Sequence, residues 1–212
     1  MRAHRDNSVE MDKYSALTLI KNGLSGHKKW RPHWRNPTLK PRYDVVIIGG
    51  GGHGLATAYY LAKKHDISNV AVLEKGWLGG GNTGRNTQAI RSNYFYREAT
   101  EFFDHSLCLY EKLSEELNYN IMLSQRGVLT LAHSEHELEE IQRWATAIQI
   151  NGVDSRFLSA EQIKKRLPSI NIGKNSRFPI IGGFIQERGG VARHREVGSY
   201  GVGLEALGRC SV

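Results

Sequence analysis

The sequence predicts an α/β fold in which a nucleotide-type βαβ unit is followed by the beginning of a mixed α+β region. Three observations carry this. Tyr43 to Gly51, YDVVIIGGG, is a β-branched run that stops abruptly in glycine. A helical pattern follows at Leu55, Ala58, Tyr59 and Leu61 to Lys64, and NVAVLEK, Asn69 to Lys75, then repeats the strand character. Beyond residue 95 helices and strands lose that strict alternation. Continuous apolar runs of this length read as parallel strands buried on both faces, and two of them joined by a helix form a βαβ unit.

The later elements follow from their own patterns. Between Gly76 and Gly84 lie five glycines, so this backbone is either mobile or held close to something. Ala99, Phe102, Phe103, Ser106, Leu107, Tyr110, Leu113 and Leu117 recur at helical spacing and predict a core-covering helix over 96–117. IMLSQRGVLTLA, Ile121 to Ala132, reads as two short strands around Arg126 and Gly127. Ser134 stands three residues before Glu137, a capping box opening a helix that runs to about Ile150. Ser159 and Gln162 form a second box before a short helix that stops ahead of Pro168, and FPIIGGFIQ, Phe178 to Gln186, returns to strand.

The 212 residues are 40% hydrophobic, 24% charged and 9% aromatic, which describes a globular chain long enough for one domain or one and a half. No apolar run is long enough to span a bilayer and the N-terminus lacks a secretory signal, so no membrane partner is expected. Cys108 and Cys210 have neither disulfide-scaffold nor metal-ligand spacing, which suits a reducing compartment and a cytoplasmic location.

The formal charge of +8 raises the question of nucleic acid. Residues 1–42 form a basic N-terminal arm, and through Tyr43 the chain holds ten Lys and Arg against three acids, net +7, so the rest is nearly neutral. Trp30 and Trp34 alternate with basic residues in HKKWRPHWR, which suits base stacking or phosphate contact. The reading adopted is a surface strap packed on the body or on a partner subunit, with no nucleic-acid role. Asp6, Glu10 and Asp12 interrupt the acid-poor face that a mitochondrial transit peptide requires.

Chemistry enters at GGGGHG. Gly49, Gly51 and Gly54 have the GxGxxG spacing after a strand and at the start of a helix. The first permits the tight turn, the second admits a pyrophosphate to the backbone N–H groups, and the third lets helix and sheet approach. The helix N-terminus adds its partial positive charge. Glu74 ends the second strand twenty residues after Gly54, where a carboxylate accepts hydrogen bonds from adenosine ribose hydroxyls. The motif predicts a Rossmann-like dinucleotide site without separating FAD from NAD. Trp77 to Tyr94, with Asn82, Thr83, Arg85 and Asn86, offers donors beside that site, although Gly and Asn equally serve a plain surface loop.

GGGGHGLATAYYLA, NVAVLEKGWLGGGNTGRNTQAIRSNY and SQRGVLTLAH together resemble the amine-oxidising flavoproteins related to D-amino-acid oxidase. YSALTLIKNGLSGHKKW, His53 within the glycine loop, LNYNIMLSQRGVL and RGGVARH resemble more closely the β subunits of heterotetrameric sarcosine oxidases, from about Met11 to His194. The resemblance implies a Rossmann-like FAD-binding domain with the beginning of a mixed α+β substrate domain, incomplete. Its implied organisation is the arm, 1–42, then the N-terminal part of an FAD-dependent oxidoreductase, 43–212, with the βαβ unit at 43–94 and mixed elements at 95–212.

The same resemblance implies non-covalent FAD, covalent FMN and oxidative demethylation of sarcosine to glycine, with oxygen reduced to hydrogen peroxide. It also implies that tetrahydrofolate is able to take the one-carbon unit and that other subunits of a hetero-oligomeric oxidase are the partners. Matched residue by residue, Gly52, His53, Glu74, Asn82, Thr83, Arg85 and Asn86 take positions expected to hold FAD, and His194 takes that of the histidine carrying FMN. Attachment requires a neutral imidazole to attack the flavin 8-methyl carbon. The usual His pKa of ~6.5, beside Arg193 and Arg195, favours neutrality. No residue is identifiable as a general base, since His105 and Tyr94 lack distinguishing spacing.

Three departures stand against the match. Residues 1–10 precede it, with Met11 an alternative start. After His194, Arg195 and the glycines at 198, 201 and 203 weaken the helix expected there. The chain also stops near half the length of the family's members, which reads as a fragment lacking most of the flavin-ring and substrate residues. A related dimethylglycine or N-methylglutamate dehydrogenase subunit, and a non-catalytic docking fragment, are the alternatives.

Overall fold

The computed structural model describes residues 16–26, 28, 38–193 and 210–211, the last pair as backbone only. His194, Arg195, the glycines that follow, Trp30 and Trp34 lie outside the described residues. The chain divides into two compact units. One runs through Thr87 and includes Leu113–Ile121 and the chain's end from Arg193. The other comprises Gln88–Lys112 and Met122–Ala192.

In the first unit, after α1 (Ala16–Leu24), β1 (Val45–Ile48) and β2 (Val70–Leu73) pair in parallel with Val45 opposite Val70, and β8 (Cys210–Ser211) adds to the far side of β2. α2 (Gly52–His65) connects the strands and buries Leu55, Ala58, Tyr59 and Ala62, a stripe at helical spacing. Lys63 and Lys64 occupy its last turn, where cations suit the negative end of the helix dipole. Lys63 also reaches Glu116 at 2.7 Å, tying Leu113–Ile121, with its buried Leu113, Leu117 and Ile121, to α2.

The expectation that both strands are buried on both faces is corrected by β1. Val45 and Ile47 are half-buried while Val46 and Ile48 point to solvent, and Ile48 is 89% exposed. Alternate strand residues point to opposite faces, and α2 covers only one of them. β2 keeps Val70, Ala71 and Val72 buried and exposes Leu73.

The second unit is built on an antiparallel sheet of order β4-β6-β5: β4 (Val128–Ala132), β5 (Ser155–Ser159) and β6 (Gly182–Gln186). Every residue of the central β6 is buried. α4 (Glu135–Ile150) packs Ile141, Ala145 and Ile148 against Ala132, Val153 and Phe184 on one face. Ile163 of α5 (Ala160–Arg166) joins Leu158, Ile180 and Ile185 on the other. The glycine pair in β6 makes room on both faces. A Cβ on Gly182 would lie 2.8 Å from a Leu138 methyl, and one on Gly183 would run into the Thr130 carbonyl. β3 (Ala89–Ile90) and β7 (Gly190–Val191) form a short antiparallel ladder. Ser92 and Gln186, fully buried, satisfy each other through the Ser92 N–H at 3.0 Å and the Gln186 amide at 2.7 Å.

Three local expectations are corrected. Residues 121–132 hold one strand, β4, because Met122 adopts φ +56° and breaks the extended run, leaving Ser124 a single bridge to Val191. At α4 the Ser134 hydroxyl accepts from Glu137 N–H, but the Glu137 carboxylate reaches back to His133 N–H at 2.7 Å, so the box is not reciprocal. Both halves of the box form at Ser159 and Gln162. Finally, on α3 (Arg97–Glu116), Phe102 is exposed at the edge of the stripe while Leu107 and Leu113 are buried.

Candidate dinucleotide-binding site

The glycine loop turns where β1 ends. Gly49 sits at φ +106°, a region open to glycine, and its N–H donates to Leu73 O at 2.8 Å, extending the β1–β2 pairing by one residue. Gly51 precedes α2 in an extended conformation without a side-chain cap. A Cβ on Gly54 would strike the Gly49 carbonyl, so its absence lets the first turn of α2 lie against the end of β1. Gly50 matters equally and was missed in the sequence. A Cβ there would come within 2.6 Å of Leu78 and 3.1 Å of the Glu74 Cβ.

That closeness defines the position of Glu74. Its Oε2 accepts from Gly50 N–H at 2.8 Å and its Oε1 from Gly76 N–H at 2.9 Å. These donors, Gly50 first, hold the carboxyl below the usual carboxylate range. A carboxylate has roughly four acceptor positions, so two remain for ribose hydroxyls.

The second glycine run is held rather than free. Gly79 N–H donates to Gly50 O at 3.0 Å, and Gly84 N–H to Gly79 O at 2.9 Å. Thr83, in a 3-10 turn at Asn82–Gly84, accepts from Gly52 N–H at 3.1 Å. One of the open N–H groups at the start of α2 is thereby satisfied from 31 residues away. Asn86 donates its amide to Thr83 O at 3.1 Å, and Arg85 N–H donates to Asn82 O. The side chains of His53, Asn82, Arg85 and Asn86 are exposed around this loop. The structure therefore brings Gly49–Gly54, Glu74 and Thr83 together, with Asn82, Arg85 and Asn86 beside them.

A cleft of about 660 Å³ opens beside the ends of β1 and β2, lined among others by Ile48, Gly49, Leu73, Glu74, Trp77 and Leu78. Its size suits a small ligand, and its place at the carboxyl ends of parallel strands is where open α/β sheets bind one. A cradle that a Cβ would fill, an unprotonated carboxylate and a helix start fit the adenosine and pyrophosphate of a dinucleotide.

In the second unit, Arg91 is half-buried, lies 5.2 Å over the Tyr94 ring and donates to Asn93 Oδ1 at 3.4 Å. No carboxylate pairs with it among the described residues, and no spacing in the sequence distinguishes it from other arginines.

Residues 44–199 match the FAD dependent oxidoreductase family, DAO. The chain is 48% identical over 206 residues to sarcosine oxidase subunit beta of Rhizobium meliloti (strain 1021), covering 94% of this chain and 49% of that protein. It is 56% identical over 164 residues to sarcosine oxidase subunit beta of Arthrobacter sp, covering 77% and 40%. Identity to the mitochondrial dimethylglycine dehydrogenase of Rattus norvegicus is 31% over 140 residues, covering 65% and 16%. The crystal structure of L-proline dehydrogenase from P. horikoshii superposes with a TM-score of 0.72 at 25% identity, covering 81% of this chain and 44% of that one. The chain thus spans about half the length of the sarcosine oxidase relatives.

Proposed function

Because the chain belongs to the FAD dependent oxidoreductase family, we propose that it is the FAD-holding portion of a sarcosine oxidase β-type subunit. The reaction converts sarcosine, oxygen and water into glycine, formaldehyde and hydrogen peroxide, or passes the one-carbon unit to tetrahydrofolate. The observation that carries the substrate choice is the identity to sarcosine oxidase subunits, well above that to dimethylglycine dehydrogenase. When bound, FAD supplies the acceptor for the two electrons lost at the N-methyl group.

This chain's residues bind and orient. Glu74 takes the adenosine ribose, the N–H groups of Gly51, His53 and Gly54 serve the pyrophosphate while Gly52 N–H is held by Thr83, and Thr83, Arg85 and Asn86 flank the site. Arg91 suits the carboxylate of the amino acid, since a half-buried guanidinium with no acid partner among the described residues gains most from one. His194 carries FMN covalently. Companion subunits complete the enzyme, with no nucleic-acid or membrane partner, in the cytoplasm. Among the described residues no helix is long and apolar enough to cross a membrane.

The test uses the complete protein co-expressed with its companion subunits. Peroxide release at the highest kcat/KM with sarcosine, ahead of dimethylglycine and N-methylglutamate, is the expected result. A colourless complex, or a preference for dimethylglycine, overturns the reading. Gly51→Val should abolish FAD retention, and Arg91→Lys should raise the KM for sarcosine with little loss of kcat. Tryptic peptides should carry FMN on His194, and acid-stable flavin persisting in His194→Ala would refute that attachment.

A further inference from the structure

Arg91 opens the segment 91–94, which is fastened from β6, α4 and α3. Ser92 and Asn93 are fully buried. Gln186, at the end of β6, accepts from the Ser92 N–H at 3.0 Å and donates its own amide to the Ser92 hydroxyl at 2.7 Å. The Trp144 indole of α4 donates to Asn93 O at 3.1 Å, and the Thr100 hydroxyl of α3 donates to Tyr94 O at 2.5 Å. A segment anchored this closely fixes the place of whatever it carries.

What it carries is a guanidinium held without an anion. Asn93 Oδ1 accepts from Arg91 Nη1 at 3.4 Å, the guanidinium carbon lies 5.2 Å from the centre of the Tyr94 ring, and Phe103 stacks on that ring at 4.0 Å. A carbonyl and a ring face both attract a cation, and neither neutralises it. The direction of the Asn93 amide follows, since Arg has donors only and a turned amide would set N–H against N–H. Its Nδ2 is then buried with no acceptor among the described residues. A buried amide with an unpaired N–H serves the fold less well than an apolar side chain of similar size. The use of this side chain is therefore its carbonyl, and the carbonyl faces Arg91.

We propose that Asn93 is the positioning residue of Arg91: its carbonyl, backed by the Tyr94 ring, fixes the direction of the guanidinium and leaves the full positive charge for the carboxylate of the amino-acid substrate. This rests on the reading of Arg91 as the group that takes that carboxylate. An aspartate in the same place would hold Arg91 more firmly and cancel its charge. Asparagine orients without cancelling.

The complete protein with its companion subunits provides the test. The quantities followed are kcat and KM from peroxide release with sarcosine, the dissociation constant of acetate from the change in flavin absorbance, and the urea midpoint of unfolding. Asn93→Leu should raise both the KM and the acetate constant about tenfold, the effect of one lost hydrogen bond to a charged group. Its kcat should change little, and its urea midpoint should stay level or rise. Asn93→Asp should raise both constants at least as much, although it keeps an oxygen against Arg91.

A lowered midpoint with unchanged KM would assign Asn93 to the fold alone and overturn the proposal, and a loss confined to kcat would overturn it as well. Wild-type acetate binding in Asn93→Asp also overturns it, and that variant decides the matter should Asn93→Leu not assemble. If Arg91→Lys itself leaves KM and acetate binding unchanged, the carboxylate reading fails and this inference with it. If Arg91→Lys raises both while the Asn93 variants match the wild type, the reading stands and this inference alone falls.

Discussion

The two three-stranded sheets among the described residues face opposite situations. The antiparallel sheet has a helix on each face, and its central strand exposes nothing. The parallel sheet carries α2 on one face and presents Val46, Ile48 and Leu73 to solvent on the other. Both are written in similarly apolar residues, so composition does not distinguish them. The difference lies in what the surrounding chain supplies. The mixed unit builds its core largely from its own helices, whereas the βαβ unit uses its local sequence to shape the glycine loop and leaves apolar surface on its open face.

The sharpest way to test that contrast is to empty the covered sheet. Phe184 is fully buried and packs edge-on to Trp144 at 5.3 Å. Phe184→Ala should cost about 3–5 kcal/mol of stability in denaturant unfolding. A loss under half of that would mean the second unit is less tightly built than its burial indicates.

Next in size is Gly54→Ala. The added methyl group meets the Gly49 carbonyl, and overpacking of this kind costs about 1–3 kcal/mol. Flavin content of the complete protein should fall with it, and full retention would show that α2 can shift freely. Glu74→Gln should weaken FAD affinity about tenfold. The Glu74 carboxyl is held low by Gly50 and Gly76, so its contribution to stability is fully present above the ordinary Glu pKa of ~4.3. It is lost as pH falls through the depressed folded value. The acid limb of a pH–stability curve should therefore flatten in Glu74→Gln, and an unchanged limb would contradict the assignment.

Smaller still, Ser159→Ala removes the anchor of a complete capping box and should cost about 1 kcal/mol. Gln162→Ala should cost more than Glu137→Ala relative to its own helix start, since only Gln162 returns a bond to its N-cap. Urea melts of the pair would show equal losses if that distinction is immaterial. At the bottom, Ile48→Ser should stay within about 0.5 kcal/mol, because Ile48 is already in water.

Much of the first unit was legible because its signals are local. The GxGxxG rhythm, the β-branched runs and a carboxylate at the end of β2 sit within one short stretch, and each has a steric or electrostatic reason to be there. Thr83 was legible as a polar residue but not as a partner of Gly52, since a hydroxyl reaching a backbone N–H 31 residues away leaves no periodic trace. Gly50 hid among four consecutive glycines. In the second unit β5, SRFLS, escaped notice because its alternation is short and its last residue read as a helix cap. The ladder of β3 and β7 spans two residues on each strand, too few to leave an alternation in the sequence. The misplaced strand at 121–125 failed on Met122, whose left-handed backbone no composition rule anticipates.

The glycine pair of β6 has a mechanical consequence. Leu138 from α4 and Ile163 from α5 enter from opposite faces at neighbouring residues, each using space that a side chain would otherwise fill. The strand is thinnest where both helices press on it, so it works as a detent that fixes how far each can slide along the sheet. A methyl group at Gly182 would meet the mobile tip of Leu138 and push one helix outward. The same group at Gly183 would meet the Thr130 backbone and prise β4 from β6. Two adjacent and chemically identical positions thus govern different freedoms, one the seating of a helix and the other the integrity of the sheet.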